Sequence, residues 1–309
     1  MSYHPRIEAP ELANLITTRS RNSELWFINN KPLEDSILGY TAKYAERYGV
    51  KLYALAIEGN HIQGPALFPN ANRSAFMRDL NAIVARIVPQ KTSHPGGSFW
   101  ARRYSNEFLP GNDDIENWFF YTVLQAVQDG LVEKISEYPG YNCFHDAIWG
   151  HARKFKVVRW AEYNAARRWN PSVAIKDYTD VVFLRYERLP GYEHLTQEQY
   201  ARLMMTKLEE RRQKIVAERI AAGGSFLGRE KLLEMRPGAK PKKTKTSTIH
   251  DHRPRVLSVC PRRRAECKTW YFGIYFTYKD CSKRYREGEL NVQFPPGTYP
   301  PHLPASGQR

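Results

Sequence analysis

In the segment KLYALAIEGNHIQGPALF, residues 51–68, two strand-like runs flank a tight turn. KLYALAIE (51–58) is an apolar run typical of a strand, and IQGPALF (62–68) can return beside it as a hairpin partner. The dipeptide Gly59-Asn60 between the two runs is suited to positive φ, which favours a turn. The segment therefore predicts a β-hairpin.

Strand and helix patterns alternate around this hairpin. Strands are predicted for ANLITTRS (13–20) and RRYSNEFL (102–109), and amphipathic helices for LEDSILGYTAKYAERYG (33–49) and NRSAFMRDLNAIVARIV (72–88). A third helix is predicted over 114–131. The order βαββαβ, followed by a helix, predicts an α+β fold with a ferredoxin-like antiparallel sheet and helices on one face.

The third helix carries two polar side chains beside its apolar stripe. Its start near Asp113, with Glu116 three residues later, matches a capping box. Tyr121 and Gln125 are four residues apart, so they lie next to each other on one side of the helix. Both side chains are predicted to overhang the sheet.

Polar residues at the hairpin turn suggest a metal site. If the second strand is extended, His61 and Gln63 share a face, and Glu58 can join them across the turn. A carboxylate, an imidazole and a carboxamide oxygen suit Mg²⁺ or Mn²⁺. Tyr121 above this face could attack a phosphodiester that the cation polarises. The alternatives are a solvated turn with a surface histidine, and a tyrosine at the rim of the core.

Composition favours a folded protein with a polyanionic partner. The chain has 309 residues, 42% of them hydrophobic, and a net charge of +15. Clustered Lys and Arg favour nucleic acid first and a membrane surface second. No apolar run reaches the roughly 20 residues that span a bilayer, so we expect a soluble, cytoplasmic protein. The four cysteines form no CxxC pair, and no GxGxxG, Walker, HExxH or GxSxG motif is present.

The second half of the chain is basic. HARKFKVVRWAEYNAARRWN (151–170) could combine phosphate contacts with base stacking, or it could be an amphipathic helix packed on the domain. Residues 196–222 predict a long helix with a solvated Lys/Arg face. RPGAKPKKTKTSTIHDHRPR (236–255) predicts a flexible basic linker that tracks DNA or aids solubility. The predicted domains are 1–150, a helical extension 151–235, the linker 236–256 and a small C-terminal module 257–309.

Several segments together resemble the REP-associated tyrosine transposases, within the wider class of single-tyrosine HUH transposases and nickases. The matching segments, in chain order, are TTRS near the start, NHIQ (60–63), GGSFWARRYSNEFL (96–109) and YTVLQAVQDGLV (121–132). The similarity continues through SFLGREKLL (225–233) to ELNVQFPPGTYPP (289–301), so it extends over nearly the whole chain.

The resemblance implies a chemistry and a substrate. Tyr121 would attack single-stranded or hairpin DNA and form a 5′-phosphotyrosine link. His61, Gln63 and possible further ligands Glu58 and Gln125 would hold Mg²⁺ or Mn²⁺. The chain departs from the family motif because Gln63 replaces the second histidine, although HxQ also occurs in related viral replication nickases. A binding-only DNA or RNA binder, and a regulatory protein whose basic tail binds nucleic acid non-specifically, are the alternatives.

From the resemblance and the basic runs we also predict DNA contacts, and we expect a monomer or homodimer at the nucleoid. The predicted DNA-binding residues are Arg19, Arg102, Arg103, Arg153, Lys154, Lys156, Arg159, Arg167, Arg168, Lys242, Lys243, Lys245, Arg262, Arg263 and Arg264.

Overall fold

The computed structural model describes residues 4–241 and 255–302. These residues form both strands and helices. The strands are β1 (Ala13–Arg19), β2 (Lys51–Leu52), β3 (Ala56–Glu58), β4 (His61–Leu67), β5 (Ser105–Leu109), β6 (Arg153–Val158), β7 (Thr179–Leu184) and β8 (Arg255–Val256). The helices are α1 (Lys31–Tyr48), α2 (Arg73–Lys91), α3 (Asn112–Val123), α4 (Gln125–Gln128), α5 (Phe144–Trp149), α6 (Trp160–Trp169), α7 (Gln197–Ala221), α8 (Arg229–Glu234) and α9 (Pro261–Arg286). The predicted α+β class is confirmed.

The main sheet is built around β1 and β4. Its strand order is β2-β4-β1-β5-β8, and β3 also pairs with β4. β1 is antiparallel to both β4 and β5, whereas β8 is parallel to β5. In this register Thr17 lies opposite Gln63, and Arg19 lies opposite His61.

The predicted strand 51–58 is interrupted. Leu52 pairs with Ala66 of β4, and Ala56 pairs with Gln63 of β4. Between these two pairs the chain 52–56 advances by four residues, whereas β4 advances by three. The extra residue forms a β-bulge, which brings the chain close to Gly64. A Cβ at Gly64 would lie 2.1 Å from the Ala54 carbonyl oxygen, so only glycine fits at this position.

The Gly59-Asn60 turn forms as predicted, but for a different reason. Glu58 pairs with His61, so two residues close the hairpin. Neither Gly59 nor Asn60 has a positive φ, so the predicted conformational reason is wrong. Instead, a Cβ at Gly59 would lie 2.8 Å from Leu25 Cδ2. Glycine is required here for space.

Helices lie on both faces of the sheet, so the prediction that they cover one face is wrong. At the start of α2, Arg73 Nη1 donates a hydrogen bond to Asn14 Oδ1 at 2.9 Å. On the other side, Gln125 of α4 contacts Gln63, which pairs with Thr17. Asn14 and Thr17 are three residues apart on β1, so their side chains point to opposite faces.

The predicted helix 114–131 divides into α3 and α4. Leu124, with φ −96° and ψ 5°, separates the two helices. The N-cap of α3 is Gly111 and no side chain caps it, so the predicted capping box is wrong. Glu116 is used elsewhere, because its carboxylate accepts a 2.8 Å hydrogen bond from Lys207 Nζ of α7.

Residues 151–170 are not one helix, so the helical interpretation of this stretch is wrong. β6 and β7 form a two-stranded antiparallel ribbon, and α6 follows β6. The ribbon packs on α1 through its buried face, to which Val157, Val182 and Leu184 belong. Its other face carries Lys154 opposite Phe183, and both are exposed.

The C-terminal part packs on the first half of the chain. Residues 236–241 of the predicted linker are held at the surface, where the Leu25 amide donates to the Ala239 carbonyl at 2.9 Å. In α9, Tyr271 is buried in a cluster with Ile7 and Phe108. The Glu8 amide donates to the carbonyl of residue 297 at 2.8 Å. The division of the chain into four domains stays a prediction.

Two further features concern thiols and membranes. All four cysteines are free, and Cys143, Cys267 and Cys281 are buried. Across residues 4–241 and 255–302, none of the helices combines the length and apolarity that a bilayer crossing demands.

Candidate functional site

The polar residues of the hairpin lie in adjacent rows on one face of the sheet. Cross-strand pairing aligns Glu58 with His61 and His61 with Arg19, so the three form one row across β3, β4 and β1. Gln63 lies in the next row on the same face, opposite Thr17. Glu58, His61 and Gln63 are all buried, whereas Arg19 is exposed. The solvated turn and surface histidine are therefore excluded.

Gln125 joins this face from α4. Its Nε2 lies 2.6 Å from His61 Nε2, and its Oε1 accepts a hydrogen bond from Gln63 Nε2. On the other side of the imidazole, His61 Nδ1 lies 2.7 Å from Asn60 Oδ1. These partners assign the proton to Nδ1, which donates to Asn60, and leave the Nε2 lone pair directed at Gln125.

Burial keeps His61 neutral. It lowers the pKa of the imidazole to about 3, and the Arg19 charge lowers that pKa as well. A neutral imidazole ligates metals through a ring lone pair, and the Nε2 lone pair of His61 here accepts a hydrogen bond from Gln125.

Burial also keeps Glu58 mostly protonated at neutral pH. It raises the pKa of the carboxyl group to about 8, the Asp129 carboxylate raises this pKa further, and Arg19 opposes both. A nearby cation would favour the ionised form of Glu58, and the resulting carboxylate could bind a metal ion.

Tyr121 lies within reach of the same charges. It is half-buried on α3, with its ring centroid 4.5 Å from that of Trp118. Burial raises the pKa of its phenol, as do the carboxylates of Asp129, Glu58 and Glu107, while Arg19 lowers it. The phenol is therefore protonated at neutral pH, and Arg19 is the positive charge that favours its phenolate.

The predicted metal ligands form a donor set that fits Mg²⁺ or Mn²⁺. Gln125 contacts both His61 and Gln63 through its polar atoms, and Glu58 lies in the row of His61. Rotation of either carboxamide about its last bond exchanges nitrogen for oxygen, so both glutamines can present an oxygen ligand. An imidazole nitrogen, carboxamide oxygens and a carboxylate match these hard or borderline cations.

Glu107, Asp129 and Asn60 were missed by the sequence analysis. Glu107 on β5 is buried, and burial raises the pKa of its carboxyl group. Its Oε1 forms an ion pair with Arg255 of β8. Glu107 belongs to segment 96–109, which is part of the family resemblance. This location was the sequence feature that could have identified Glu107 as a candidate site residue. Asp129 lies at the end of α4, and its carboxylate raises the pKa values of Glu58 and Tyr121.

A basic groove beside Tyr121 was also missed. Its volume is about 890 Å³, and it lies between α3, α4 and α7. Arg211, Lys214 and Arg219 of α7 line it. The Lys/Arg face of residues 196–222 was predicted to be solvated, whereas Arg211 lies over the Phe120 ring at 4.5 Å. Ile220 of the same helix is exposed.

Three of the predicted DNA-binding arginines lie at the end of the sheet that carries the site. Arg102 and Arg103 are exposed in the bend before β5. The neighbouring Ala101 amide donates a 3.0 Å hydrogen bond to the Arg19 carbonyl. The backbone therefore brings the segment of Arg102 and Arg103 next to Arg19.

The basic residues of 151–170 divide into exposed and internally paired ones. Lys154, Lys156, Arg167 and Arg168 are exposed. The remaining two predicted arginines form ion pairs within the protein: Arg153 with Asp146, and Arg159 with Asp180 and Glu162.

The three predicted arginines of α9 have partners within the protein. Arg262 pairs with Glu266, Arg263 pairs with Asp113 and Asp114, and Arg264 donates to the Ser258 carbonyl. The predicted residues Lys242, Lys243 and Lys245 lie outside the described part of the chain.

Comparisons with known proteins give a likeness in structure and none in sequence. No protein-family model matches the chain, and no curated protein matches it. The fold is similar to the solved structure of a REP-associated tyrosine transposase bound to a REP hairpin, with 16% sequence identity and a TM-score of 0.40. The match covers 47% of this chain and 84% of that chain.

Proposed function

We propose that this protein is a single-tyrosine endonuclease of the HUH type, with an HxQ variant of the motif, which cleaves and rejoins single-stranded or hairpin DNA. The observation that carries the proposal is the convergence of His61, Gln63 and Gln125 in one buried hydrogen-bonded group, with Gln125 four residues after Tyr121. This is the arrangement of ligands and nucleophile that the sequence resemblance implies.

The ferredoxin-like sheet is part of this proposal. The hairpin strands β2 and β3, then β4, β1 and β5, are antiparallel neighbours in that order. α1 follows β1, and α2 follows β4. The chain order and sheet order of these strands support a βαββαβ unit, with β8 added at the edge beside β5.

In the proposed reaction, the Tyr121 phenol attacks a DNA phosphate. The Tyr–O–P bond forms as the P–O3′ bond breaks, the downstream strand stays attached through its 5′ phosphate, and the upstream strand leaves with a 3′-OH that takes up the proton. Attack by a 3′-OH on the phosphotyrosine rejoins DNA. When bound by His61, Gln63 and the oxygens of Gln125 or Glu58, Mg²⁺ or Mn²⁺ would polarise the phosphate and favour the phenolate.

Several surfaces support a nucleic-acid partner. Arg19, Arg102 and Arg103 lie beside the site, and the basic groove reaches Tyr121. The ribbon adds exposed Lys154 and Lys156, and phosphate contacts from such residues give affinity without sequence preference. Trp169 of α6 is 91% exposed, and an exposed indole is a stacking surface for unpaired bases.

A DNA- or RNA-binding protein without cleavage activity is the second candidate. It is favoured by the hydrogen bonds from Gln63 to Gln125 and from Gln125 to His61, which satisfy these groups without a cation. Both candidates use the same basic surfaces. The nucleoid location and the oligomeric state stay predictions.

Tyr121→Phe distinguishes the two candidates. Single strands labelled at the 3′ end, incubated with Mg²⁺ or Mn²⁺, should yield a labelled covalent adduct with the wild type and none with Tyr121→Phe. DNA affinity should be nearly unchanged, because the substitution removes only the hydroxyl. Tyr163→Phe on α6 is the matched control and should keep the adduct. Absence of any adduct with the wild type would favour the binding-only candidate.

A further inference from the structure

A second cluster of metal-ligating side chains lies away from the hairpin residues, around α5. Ligand atoms of His145, Asp146 and His151 lie within 4.8 Å of one another. All three residues fall within seven consecutive positions of the chain. We propose that these three side chains form a site for a divalent transition metal such as Zn²⁺.

The backbone holds the two histidines together. α5 ends at Trp149, and Gly150 adopts a left-handed conformation with φ 67°. The chain then turns back, and the His151 amide donates a 2.9 Å hydrogen bond to the Asp146 carbonyl. The two imidazole rings are 5.2 Å apart between centroids, and both histidines are exposed, so an ion can enter from solvent.

Asp146 is oriented from behind by groups that are not themselves ligands. Its Oδ2 accepts hydrogen bonds from Arg153 Nε and from the Tyr141 hydroxyl, the latter at 3.3 Å. Tyr186 lies 2.8 Å from that hydroxyl and completes the chain. Because both contacts use Oδ2, we assign Oδ1 to the ion. A carboxylate ligand held by such outer hydrogen bonds is a recurrent feature of metal sites.

The ligand types favour zinc, cobalt or nickel over magnesium. Two imidazoles and one carboxylate suit borderline transition metals. Zinc–ligand bonds of about 2.0–2.1 Å in a tetrahedral site place ligand atoms about 3.3 Å apart. Rotation of the exposed His145 and His151 side chains can close the remaining distance, and water can supply the fourth ligand. A bound ion would fix the short link from α5 to β6, and thereby the start of the ribbon.

The test is metal binding by the full chain after removal of metals with a chelator. Titration with Co²⁺, followed by its visible absorption, and with Zn²⁺, followed by calorimetry, should show one ion that no longer binds in the double variant His145→Ala/His151→Ala. The single variant His151→Ala should weaken this binding at least about tenfold. His61→Ala and the exposed His194→Ala are controls that should retain the ion.

Circular dichroism of the metal-free proteins should show that the double variant is folded, since both substituted side chains are exposed. Zn²⁺ should raise the melting temperature of the wild type and of His194→Ala, because a ligand that binds only the folded state stabilises it. Equal affinity of the double variant and the wild type, or loss of the ion in His61→Ala alone, would overturn the proposal.

Discussion

Glu58→Gln should change how the stability of this protein depends on pH. Glu58 is buried in the row of His61 and Arg19, and burial raises the pKa of its carboxyl group to about 8. In the unfolded chain the same group has its ordinary pKa of about 4.5. Between these two values the folded state holds a proton that the unfolded state has released. Stability from Glu58 is therefore present at low pH and decreases as pH rises through this window.

The magnitude follows from the two pKa values. One pKa unit corresponds to about 1.4 kcal/mol, so a rise from about pH 6.5 to about pH 8 should cost the wild type about 1.5 kcal/mol relative to Glu58→Gln. Glutamine is nearly isosteric with the protonated acid and does not titrate. His61 is common to both proteins, and its pKa is lowered to about 3, so its folded form does not titrate in this range.

Guanidinium chloride unfolding at several pH values in this range provides the measurement. The free energy of unfolding should fall with pH in the wild type more steeply than in Glu58→Gln. Glu210→Gln, at an exposed position of α7, is the control and should follow the wild type. Parallel curves for the wild type and Glu58→Gln would show that Glu58 is ionised at neutral pH and would refute the reasoning.

Three further expectations concern the site, the hairpin and the ribbon. Gln63→His should preserve or raise metal-dependent adduct formation, since imidazole is the stronger ligand; loss of activity would contradict this. Gly64→Ala should destabilise more than Gly59→Ala in denaturant unfolding, because it meets a backbone oxygen at 2.1 Å rather than a leucine methyl at 2.8 Å. The double variant Lys154→Gln/Lys156→Gln should reduce the slope of log affinity against log salt concentration. The expected reduction is about 0.7 for each DNA phosphate that the ribbon no longer neutralises. An unchanged slope would count against DNA binding by the ribbon.

Much of the first half of the fold was predictable from local sequence patterns. α1 and α2 follow their apolar periodicity, and the turn at Gly59-Asn60 forms. The alternation on β4 also placed His61 and Gln63 on one face, because strand side chains repeat every two residues. These features depend on neighbours in the chain, so periodicity is sufficient to predict them.

The second half was less predictable, because a strand with a two-residue period and a helix with a period of about 3.6 residues follow each other within residues 151–170. In β6, Lys154 and Lys156 alternate with Phe155 and Val157, but this strand pattern covers only a few residues before the helical pattern of α6 begins. From the sequence, Arg211, Lys214 and Arg219 of α7 look like part of a solvated face. They line the basic groove only because α3 and α4 lie beside α7. Pairing of β8 with β5 joins residues about 150 positions apart, which no local pattern reports.

The α+β class, and the polar residues at the hairpin and on the third helix, could be predicted from the amino-acid sequence alone. The contacts of Gln125 with His61 and Gln63 depend on tertiary packing, since they join α4, which follows the break at Leu124, to β4. Only burial within the fold gives His61 a neutral imidazole and Glu58 a proton at neutral pH. Desolvation is a property of the surrounding packed atoms, and it is therefore set by contacts between distant parts of the chain.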